Sequence, residues 1–486
     1  MSKFNATSAA THKINNRAGG SAYVMSPELE LVSSLLTSFL ETKFYETGAK
    51  RQTNIVKQVQ AVNPLFAAKA SIYARNEFGM RSVSHVVAAD IAAHVKGEEW
   101  TKRYFDKIVH RPDDMLEILS LYRANGHKNE PAALKKGFAT ALGRFDEYQL
   151  AKYRAASKGV KLVDIVNLVH PANTEAIRKL VNDELRNVDT FEAKISKAGQ
   201  SGNVEAKGQA WAELVRSGKL GYFALLRNLR NIVEEAPEVV DLAVEQLVDA
   251  KAIRKSLVLP FRFITAAEEI GKLNGPAAKT VLVGLSRALD ASAENVPRFK
   301  GETLIAIDGS GSMTGGFYGY SRGNSGPIEK AALFAAMLVK SSMADVLIWD
   351  DGAIHLNCNP TDSVISIAKQ IVSSAHSGGT DISIPFREAT RAYDRILILT
   401  DEQSWGHGSF GYTGGTTAPK ELEKYRQRTG ANPMVYNWDL AGHGTLQFPE
   451  NQVATLAGWS DKVFDIMRLV ETDKKALVHT IEKVEI

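Results

Sequence analysis

The stretch Thr303-Leu-Ile-Ala-Ile-Asp308-Gly-Ser310-Gly-Ser312-Met313 decides how the second part of this chain folds. Its apolar, β-branched run has the length of a strand and predicts a buried strand that ends at Asp308. In open α/β sheets, ligands bind beyond the carboxyl ends of the strands. Asp308 and the two hydroxyls that follow it at alternate positions should therefore lie at a ligand-binding edge. Such oxygen donors suit a hard divalent cation, with waters completing its shell.

Two later segments carry the same chemistry. The segment Ser377-Gly-Gly-Thr380-Asp381 places a hydroxyl after a glycine pair, and Arg395-Ile-Leu-Ile-Leu-Thr400-Asp401 is a second apolar run that ends in a carboxylate. The order Asp-x-Ser-x-Ser, then Thr, then Asp resembles the metal-ion-dependent adhesion site of von Willebrand factor A domains. We therefore predict a divalent-metal site, with Mg²⁺ as the expected ion, at Asp308, Ser310, Ser312, Thr380 and Asp401. The alternative is that these are turn and cap residues.

Other uses of these glycines and carboxylates are not supported. A phosphate-binding P-loop needs a Lys after its last glycine, and none follows Gly311 or Gly315. The dinucleotide fingerprint needs a glycine where Thr314 stands. A metal-dependent hydrolase needs a general base or a second metal, and only Glu402 adjoins Asp401. We therefore expect a binding protein and not an enzyme.

Composition divides the chain into two parts of opposite charge. Its 486 residues predict more than one domain, and its single cysteine, Cys358, cannot form an internal disulfide. Residues 1–300 carry 43 Lys and Arg against 33 Asp and Glu, whereas residues 301–486 carry 16 against 22. Nucleic acid for the basic part and a cation for the acidic part is the simplest assignment. Without a signal-like or membrane-spanning apolar run, we expect a cytoplasmic protein with no membrane partner.

The pattern along the chain predicts three segments. Residues 1–25 are rich in small polar residues and should form a flexible arm that becomes ordered only on contact with the body of the protein or with a partner. Residues 26–298 have the pattern of short-linked helices stacked in pairs of the HEAT type. Residues 299–486 alternate between strands and helices, which predicts a parallel sheet with helices on both faces. Strands are expected at 303–308, 344–349, 353–357, 395–400, 433–438 and 462–467, and helices at 327–342, 361–374, 382–392 and 418–429. A Gly-rich loop at 406–416 should lie over the metal edge.

Several segments of the helical part resemble a known family. They are Pro64-Leu-Phe, Arg81-Ser-Val-Ser-His85, Phe145-Asp-Glu-Tyr148-Gln-Leu-Ala-Lys152-Tyr153-Arg154, Lys161-Leu-Val-Asp-Ile-Val-Asn-Leu-Val-His170-Pro171 and Ala224-Leu-Leu-Arg227-Asn228-Leu-Arg230-Asn231. Together they resemble the TROVE module of the Ro autoantigen family, whose members bind small noncoding Y RNAs. The resemblance covers nearly the whole chain. It implies an α-helical HEAT-like repeat ring followed by an α/β von Willebrand factor A-like, Rossmann-like domain.

The resemblance also implies RNA contacts at particular positions. Lys152, Tyr153 and His170 resemble positions that the family uses for Y RNA on the outer ring surface, and Arg154, Lys158 and Lys161 are candidates for the remaining basic contacts. The family's second mode takes the single-stranded end of a misfolded RNA through the ring's hole. Residues 102–161 hold 13 Lys and Arg against 7 Asp and Glu, with tyrosines among them, which suits phosphate pairing and base stacking.

Each of these residues also has a structural interpretation. The basic stretch could be a solvated helix face with core tyrosines. His170 could be a helix C-cap, and Arg227 with Asn228 could either reach the ring interior or tie neighbouring repeats together.

Two functions of different classes follow. The first is a ribonucleoprotein component that binds Y-like RNA and the single-stranded ends of misfolded RNA, in RNA quality control or processing. We expect it to be a monomer whose protein partner, such as an exoribonuclease, binds through the RNA or the metal site. The second is a metal-dependent protein-adhesion scaffold without an RNA role.

Overall fold

The computed structural model describes residues 13–15, 21–38, 40, 47–154, 160–188, 190, 195, 204–256, 258, 260–294, 296–315, 326–403, 418–443, 445–448, 453–460, 462–471, 473 and 475–486. The expected loop at 406–416 lies outside these residues. The first part is helical, with α1 Pro27–Thr37, α2 Gly48–Ala61, α3 Pro64–Glu77, α4 Arg81–His94, α5 Trp100–Lys107, α6 Pro112–Ala124, α7 Ala132–Leu142, α8 Glu147–Tyr153, α9 Leu162–Val169, α10 Glu175–Val181, α11 Val204–Arg216, α12 Tyr222–Glu235, α13 Val240–Leu247, α14 Ala250–Ser256, α15 Phe261–Ile270 and α16 Pro276–Ala293. Short 3₁₀ helices occur at Glu184–Asn187 and Pro237–Val239.

The helices stack mainly on near neighbours in the chain, as the sequence predicted for paired repeats. For example, α3 packs on α4, α4 on α6, α5 on α7 and α8 on α10. Proline begins α1, α3, α6 and α16, where its missing N–H leaves no intrahelical bond unmade. Both ends of the array reach the second domain, because α1 and α3 contact it from one end and α15 and α16 from the other. The second domain therefore joins the two ends, as a ring requires.

The second domain is a six-stranded sheet between helices. Its strands are β3 Thr303–Asp308, β4 Asp345–Trp349, β5 Ala353–Leu356, β6 Arg395–Thr400, β7 Met434–Asp439 and β9 Ala454–Ala457, and its helices are α17 Gly311–Thr314, α18 Pro327–Ser342, α19 Val364–Ser373, α20 Ile384–Glu388, α21 Ala418–Thr429, α22 Lys462–Val470 and α23 Ala476–Glu482. The strand order is β5-β4-β3-β6-β7-β9, and every neighbouring pair is parallel except β4 with β5. Alternate residues of β3 enter two cores: Ile305 and Ile307 pack with α18 and α19, and Leu304 and Ala306 with α20 and α21.

One predicted strand is wrong. Residues 462–467 belong to helix α22, and the sixth strand of the sheet is β9, Ala454–Ala457. The buried residues of α22 are Val463, Phe464, Ile466, Met467 and Val470, a spacing that places them on one face of a helix. Residues 462–467 and strand β9 are both short and apolar, so only the spacing of their buried residues distinguishes the helix from the strand. The expected helix at 382–392 also proves shorter, spanning Ile384–Glu388.

The first 25 residues, expected to form a flexible arm, contain two strands. These are β1 Lys13–Asn15 and β2 Ser21–Val24, which pair with each other in antiparallel fashion. Strand β2 also pairs with β8, Thr445–Leu446, in the second domain. Pairing with a strand more than 400 residues later in the chain therefore joins β2 to the second domain.

The interface between the two parts is built on buried polar contacts. Asp439 is fully buried at the end of β7, and its carboxylate accepts hydrogen bonds from the backbone N–H of Ala441 and Gly442 at 2.8 and 2.7 Å. The Ser33 hydroxyl of α1 donates to the same carboxylate. The guanidinium of Arg51 in α2 donates to the Ala441 carbonyl at 2.9 Å. These bonds fix the turn after β7 against the first two helices.

An aromatic contact joins the other end of the helical array to the sheet domain. The Phe261 ring meets the Trp459 ring edge-on, with centroids 6.0 Å apart. The ammonium of Lys330 lies 3.4 Å from the Trp459 centroid and 5.3 Å from that of Phe261. Within the described residues, no helix is long and apolar enough to cross a membrane.

Candidate functional site

The predicted metal residues lie at the carboxyl edge of the sheet. Strand β3 ends at Asp308 and strand β6 at Thr400, directly before Asp401, and the two strands are neighbours. The chain turns away from the edge at Gly309, whose N–H donates to the Trp349 carbonyl at 2.8 Å. A Cβ on Gly309 would lie 2.9 Å from Ile348, so glycine is needed for this close turn. The turn leads directly into the hydroxyls of the motif.

Four of the five predicted residues are joined by direct contacts. The Ser310 N–H donates to Asp308 Oδ1 at 2.9 Å, and the Ser310 and Ser312 hydroxyl oxygens are 3.3 Å apart. The Ser312 side chain hydrogen-bonds to the Asp401 carboxylate. Thr400 was not among the predicted ligands, but its hydroxyl donates to Asp308 Oδ2 at 2.6 Å. The structure therefore brings both carboxylates and both serines together at one point.

The fifth residue, Thr380, reaches this edge on a loop bonded to the motif. The Gly311 N–H donates to the Gly378 carbonyl at 3.1 Å, and the Ser377 N–H donates to the Gly309 carbonyl at 3.0 Å. Thr380 follows two residues after Gly378 and is buried. The two loops therefore lie side by side.

Asp350 and Asp351, which directly follow strand β4, hold the loop that carries Thr380. Asp350 Oδ2 accepts from the Gly378 N–H at 3.2 Å, and Asp351 Oδ2 accepts from the Gly379 N–H at 2.9 Å. A Cβ on either glycine would come within 2.8 Å of these carboxylates. The signal was their position directly after a parallel strand, since such strand ends share one edge.

Burial makes ionisation of the two central carboxylates costly. Burial raises the pKa of Asp308 to about 6, although hydrogen bonds from Ser310 and Thr400 favour its ionised form. Burial and the charge of Asp308 raise the pKa of Asp401 to about 7. A cation bound between these two buried carboxylates would favour their ionised forms and would itself be stabilised by their charges.

Glu402 lies behind the motif and points away from it into a buried network. Its carboxylate accepts from the Asn437 side chain and, at 3.0 Å, from the Gln447 N–H. Burial and the charge of Asp439 raise the pKa of Glu402 well above its usual range. Its φ of +61° is unusual for a residue with a side chain. Glu402 therefore connects the motif to strand β8 and is not placed as a general base.

The oxygen atoms of these carboxylates and hydroxyls fit a hard cation, which prefers oxygen ligands. Among the described residues, no group of three or more His, Cys, Asp or Glu side chains is arranged as a metal site. A cation here would therefore depend on the serine and threonine hydroxyls as well as on two carboxylates, the chemistry that Mg²⁺ accepts.

Two of the predicted RNA residues line a groove on the helical array, and Lys152, Tyr153 and His170 lie outside its lining. Arg154 and Lys161 line one groove of about 400 Å³ with Val163, Leu180, Val181, Asp183 and Leu185. Tyr153 lies nearby at the end of α8, with the Arg111 guanidinium 4.8 Å and the Lys152 ammonium 5.6 Å from its ring centroid. Lys158 lies outside the described residues.

His170 has the backbone role of a helix cap and an exposed side chain. It ends α9 with φ +49°, and its N–H donates to the Val166 carbonyl at 2.9 Å. Lys161 occupies the N-cap position at the other end of the same helix, about 14 Å away at 1.5 Å per residue. An RNA that touched both would have to span the length of α9.

Two of the residues quoted for the resemblance, Arg81 and His85, meet a buried carboxylate. Asp114 accepts from Arg81 Nε at 2.7 Å and Arg75 Nη2 at 3.1 Å, and His85 Nε2 lies 3.1 Å from it. Burial opposes ionisation, but the His85 hydrogen bond and the Arg75 and Arg81 charges hold the pKa of Asp114 well below its usual range. This network ties α3, α4 and α6 together.

Arg227 and Asn228, left open between two roles, behave differently. The Asn228 side chain donates back to the Ala224 carbonyl of its own helix at 2.8 Å. Arg227 is exposed and lines a groove between α12 and α15.

Comparisons with known proteins agree across the chain. The TROVE domain family matches residues 31–208 and 183–300, and the Ro60 vWA domain family matches residues 302–468. Telomerase protein component 1 of Mus musculus is 24% identical over 309 residues, and RNA-binding protein RO60 of Caenorhabditis elegans is 26% identical over 225 residues. These matches cover 45% and 43% of this chain but only 12% and 33% of those proteins.

A solved structure shows the same fold over most of the chain. The crystal structure of the Deinococcus radiodurans Ro protein superposes with a TM-score of 0.59 at 20% sequence identity, covering 90% of this chain and 99% of that one. The predicted fold class is thereby confirmed. Because the two TROVE matches together span more than half of the chain and the Ro60 vWA match follows them directly, this chain belongs to the TROVE-domain Ro family.

Proposed function

We propose that this protein is a ribonucleoprotein component that binds small structured RNA of the Y RNA kind on its helical array. In the same proposal it binds single-stranded ends of misfolded RNA and acts in RNA quality control or processing. Family membership supports an RNA partner, as does the name of the C. elegans relative, RNA-binding protein RO60.

The observation that carries the proposal is the groove at Arg154 and Lys161. Both cations lie beside apolar side chains, including Val181, which is 47% exposed. Arg154 Nη1 is 3.0 Å from Asp183 Oδ1, but this pair is exposed to solvent and such pairs contribute little. An RNA phosphate could therefore replace Asp183 as the partner of Arg154 at small cost.

Tyr153 supports the same surface. Two cations flank its half-buried ring, since Arg111 is the N-cap residue directly before α6 and Lys152 belongs to α8. A backbone phosphate could contact either cation while the tyrosine edge contacts a ribose or base. This arrangement favours recognition of RNA shape over sequence.

Charge removal at this surface tests the proposal. The variant Lys152→Gln, Arg154→Gln, Lys161→Gln should bind a structured stem–loop RNA more weakly, and the slope of log affinity against log salt should fall by about 2. A matched control removes three exposed lysines elsewhere, Lys251→Gln, Lys255→Gln and Lys279→Gln. Equal affinities and slopes for the two triple variants would reject this surface.

For the second domain, we propose that Asp308, Ser310, Ser312, Thr380 and Asp401 hold Mg²⁺, directly or through water. A carboxylate from a protein partner, such as an exoribonuclease, would complete the shell. The two buried carboxylates with raised pKa support this proposal. No catalytic step is proposed for the site.

The alternative function is a metal-dependent adhesion scaffold without an RNA role, and it differs from our proposal in whether the wild-type protein binds RNA. In our proposal, Asp308→Ala abolishes Mg²⁺ binding in calorimetric titration and leaves the affinity for RNA unchanged. If the wild-type protein bound Mg²⁺ and an acidic peptide but no RNA at low salt, the adhesion scaffold would be the better description.

A further inference from the structure

A second groove on the helical array lies apart from the predicted RNA surface. It has a volume of about 570 Å³ and lies between α12 and α15. Phe223, Arg227 and Arg230 follow one face of α12 at helical spacing, and Arg262 and Glu269 lie on the facing side of α15. This volume falls within the range of small-ligand pockets.

The side chains that line this groove include more cations than carboxylates. It is lined by three arginines and one carboxylate, and Arg230 is already near Glu234 at 3.3 Å and Glu269 at 3.7 Å. In the described part of the chain, Arg227 makes no ion pair. Burial lowers the pKa of Arg262, and the charge of Arg227 lowers it further. Two like charges facing one groove favour an anion between them.

An aromatic surface adjoins this anion-attracting pair. Phe223 is 48% exposed, although phenylalanine is usually buried, and it lies one helical turn before Arg227. Side chains at this spacing are about 5–6 Å apart at Cβ. A flat apolar face beside a guanidinium offers stacking to a base and a charge to the adjacent phosphate. Arg262 is also in the first turn of α15, where the helix dipole favours negative charge.

We propose that this groove binds one nucleotide of a single-stranded RNA, with its base on Phe223 and its phosphate between Arg227 and Arg262. The inference rests on the RNA-binding function proposed above and adds a site to it. The site is chemically distinct from the Arg154 groove, where Arg154 has a carboxylate partner and Val181 is the exposed apolar residue.

The test uses the full-length protein and a fluorescent oligouridylate of about ten nucleotides. Phe223→Ala should weaken binding by about tenfold, whereas Phe223→Trp, which keeps a stacking face, should retain it. Arg227→Gln should weaken binding and lower the salt slope by about 0.7. The controls are Val283→Ala and Arg216→Gln, an exposed apolar residue and an exposed arginine outside the groove. Matching circular dichroism melts would show that the variants are folded.

The outcomes separate this site from the general function. If the wild-type protein binds both RNAs but Phe223→Ala and Arg227→Gln bind the oligouridylate normally, the groove assignment is wrong and the RNA function stands. If the wild-type protein binds neither structured nor single-stranded RNA, the proposed function fails and this site fails with it. Competition by AMP but not by adenosine supports the phosphate contact. AMP binding as tight as that of the oligonucleotide would identify a free nucleotide as the occupant and overturn the RNA assignment.

Discussion

Asp114 carries a charge in a place where solvent cannot reach it. Its side chain is fully buried, and Arg75, Arg81 and His85 surround it. A buried carboxylate is tolerated only when such partners replace its hydration. The residues quoted as an Arg-Ser-Val-Ser-His motif thus have an architectural explanation, since they neutralise a charge shared by three helices.

We therefore expect Asp114→Ala to lower the free energy of unfolding by about 3–5 kcal/mol, because it leaves buried cations without their counter-charge. The contribution of Asp114 should be present at neutral pH and lost as the pH falls below about 4, since its pKa is lower in the folded than in the unfolded chain. Urea unfolding at several pH values measures both effects. The exposed Asp362→Ala is the control. A loss of less than about 1 kcal/mol would contradict the proposed role.

Asp308 presents the opposite case, a carboxyl group whose ionisation is opposed by its surroundings. Its pKa is raised to about 6, so between about pH 4 and 6 the folded chain holds a proton that the unfolded chain releases. Without metal, stability should therefore decline as the pH rises through this window. A bound cation would remove that cost.

In the presence of a chelator, Asp308→Asn should stabilise the protein at pH 8 by up to about 3 kcal/mol and have little effect at pH 4. Addition of Mg²⁺ at pH 8 should raise the melting temperature of the wild type but not of the variant. Thermal denaturation at both pH values provides the measurement. A variant that Mg²⁺ stabilised as much as the wild type would rule out Asp308 as a ligand.

At the scale of elements, the loop that carries Thr380 depends on a neighbouring turn. Asp351 accepts from the Gly379 N–H, one residue before Thr380. Residues that orient ligands in this way commonly change metal affinity by 10–100-fold.

Asp351→Ala should therefore weaken Mg²⁺ binding by about tenfold while lowering stability by no more than about 1 kcal/mol, since the lost hydrogen bond is exposed. Calorimetric titration and urea unfolding of the same sample separate the two effects. If Mg²⁺ affinity and the free energy of unfolding fell together, Asp351 would be shown to support the fold and not the metal site in particular.

The elements also show what sequence can predict. Strands β3 and β6 and helix α18 have the bounds that their patterns predicted, because a continuous apolar run or a proline-first helix is a local signal. Asp308 and Asp401, two of the predicted metal ligands, lie close together because the neighbouring parallel strands β3 and β6 end at one edge. The strand expected at 462–467 was wrong because a short apolar run suits a helix as well. Asp350 and Asp351 follow a strand, which indicates their position at this edge, but no local pattern indicates their hydrogen bonds to glycines 28 residues away.

At the scale of the whole molecule, one turn fixes the two parts against each other. Gly442 adopts φ +65°, and a Cβ there would lie 2.4 Å from Thr37 Oγ1 of α1. Gly430 has nearly the same φ, +67°, but a Cβ there would meet nothing within 4 Å. The two glycines therefore differ in packing and not in backbone conformation.

Gly430→Ala should cost about 1–2 kcal/mol of stability, the price of the left-handed conformation alone. Gly442→Ala should cost measurably more, because it also pushes α1 away from the sheet domain. Urea unfolding of both variants gives the difference. Equal losses would indicate that Thr37 and its neighbours move aside freely.

The pairing of β2 with β8 has a consequence for how the protein is made. Strand β2 is translated more than 400 residues before its partner, β8 at Thr445–Leu446. Contacts so distant in sequence are slow to form, since a long loop must close first. The β2 edge therefore stays unpaired until β8 has been made, so polypeptides released before residue 445 would expose that edge to chaperones and to aggregation.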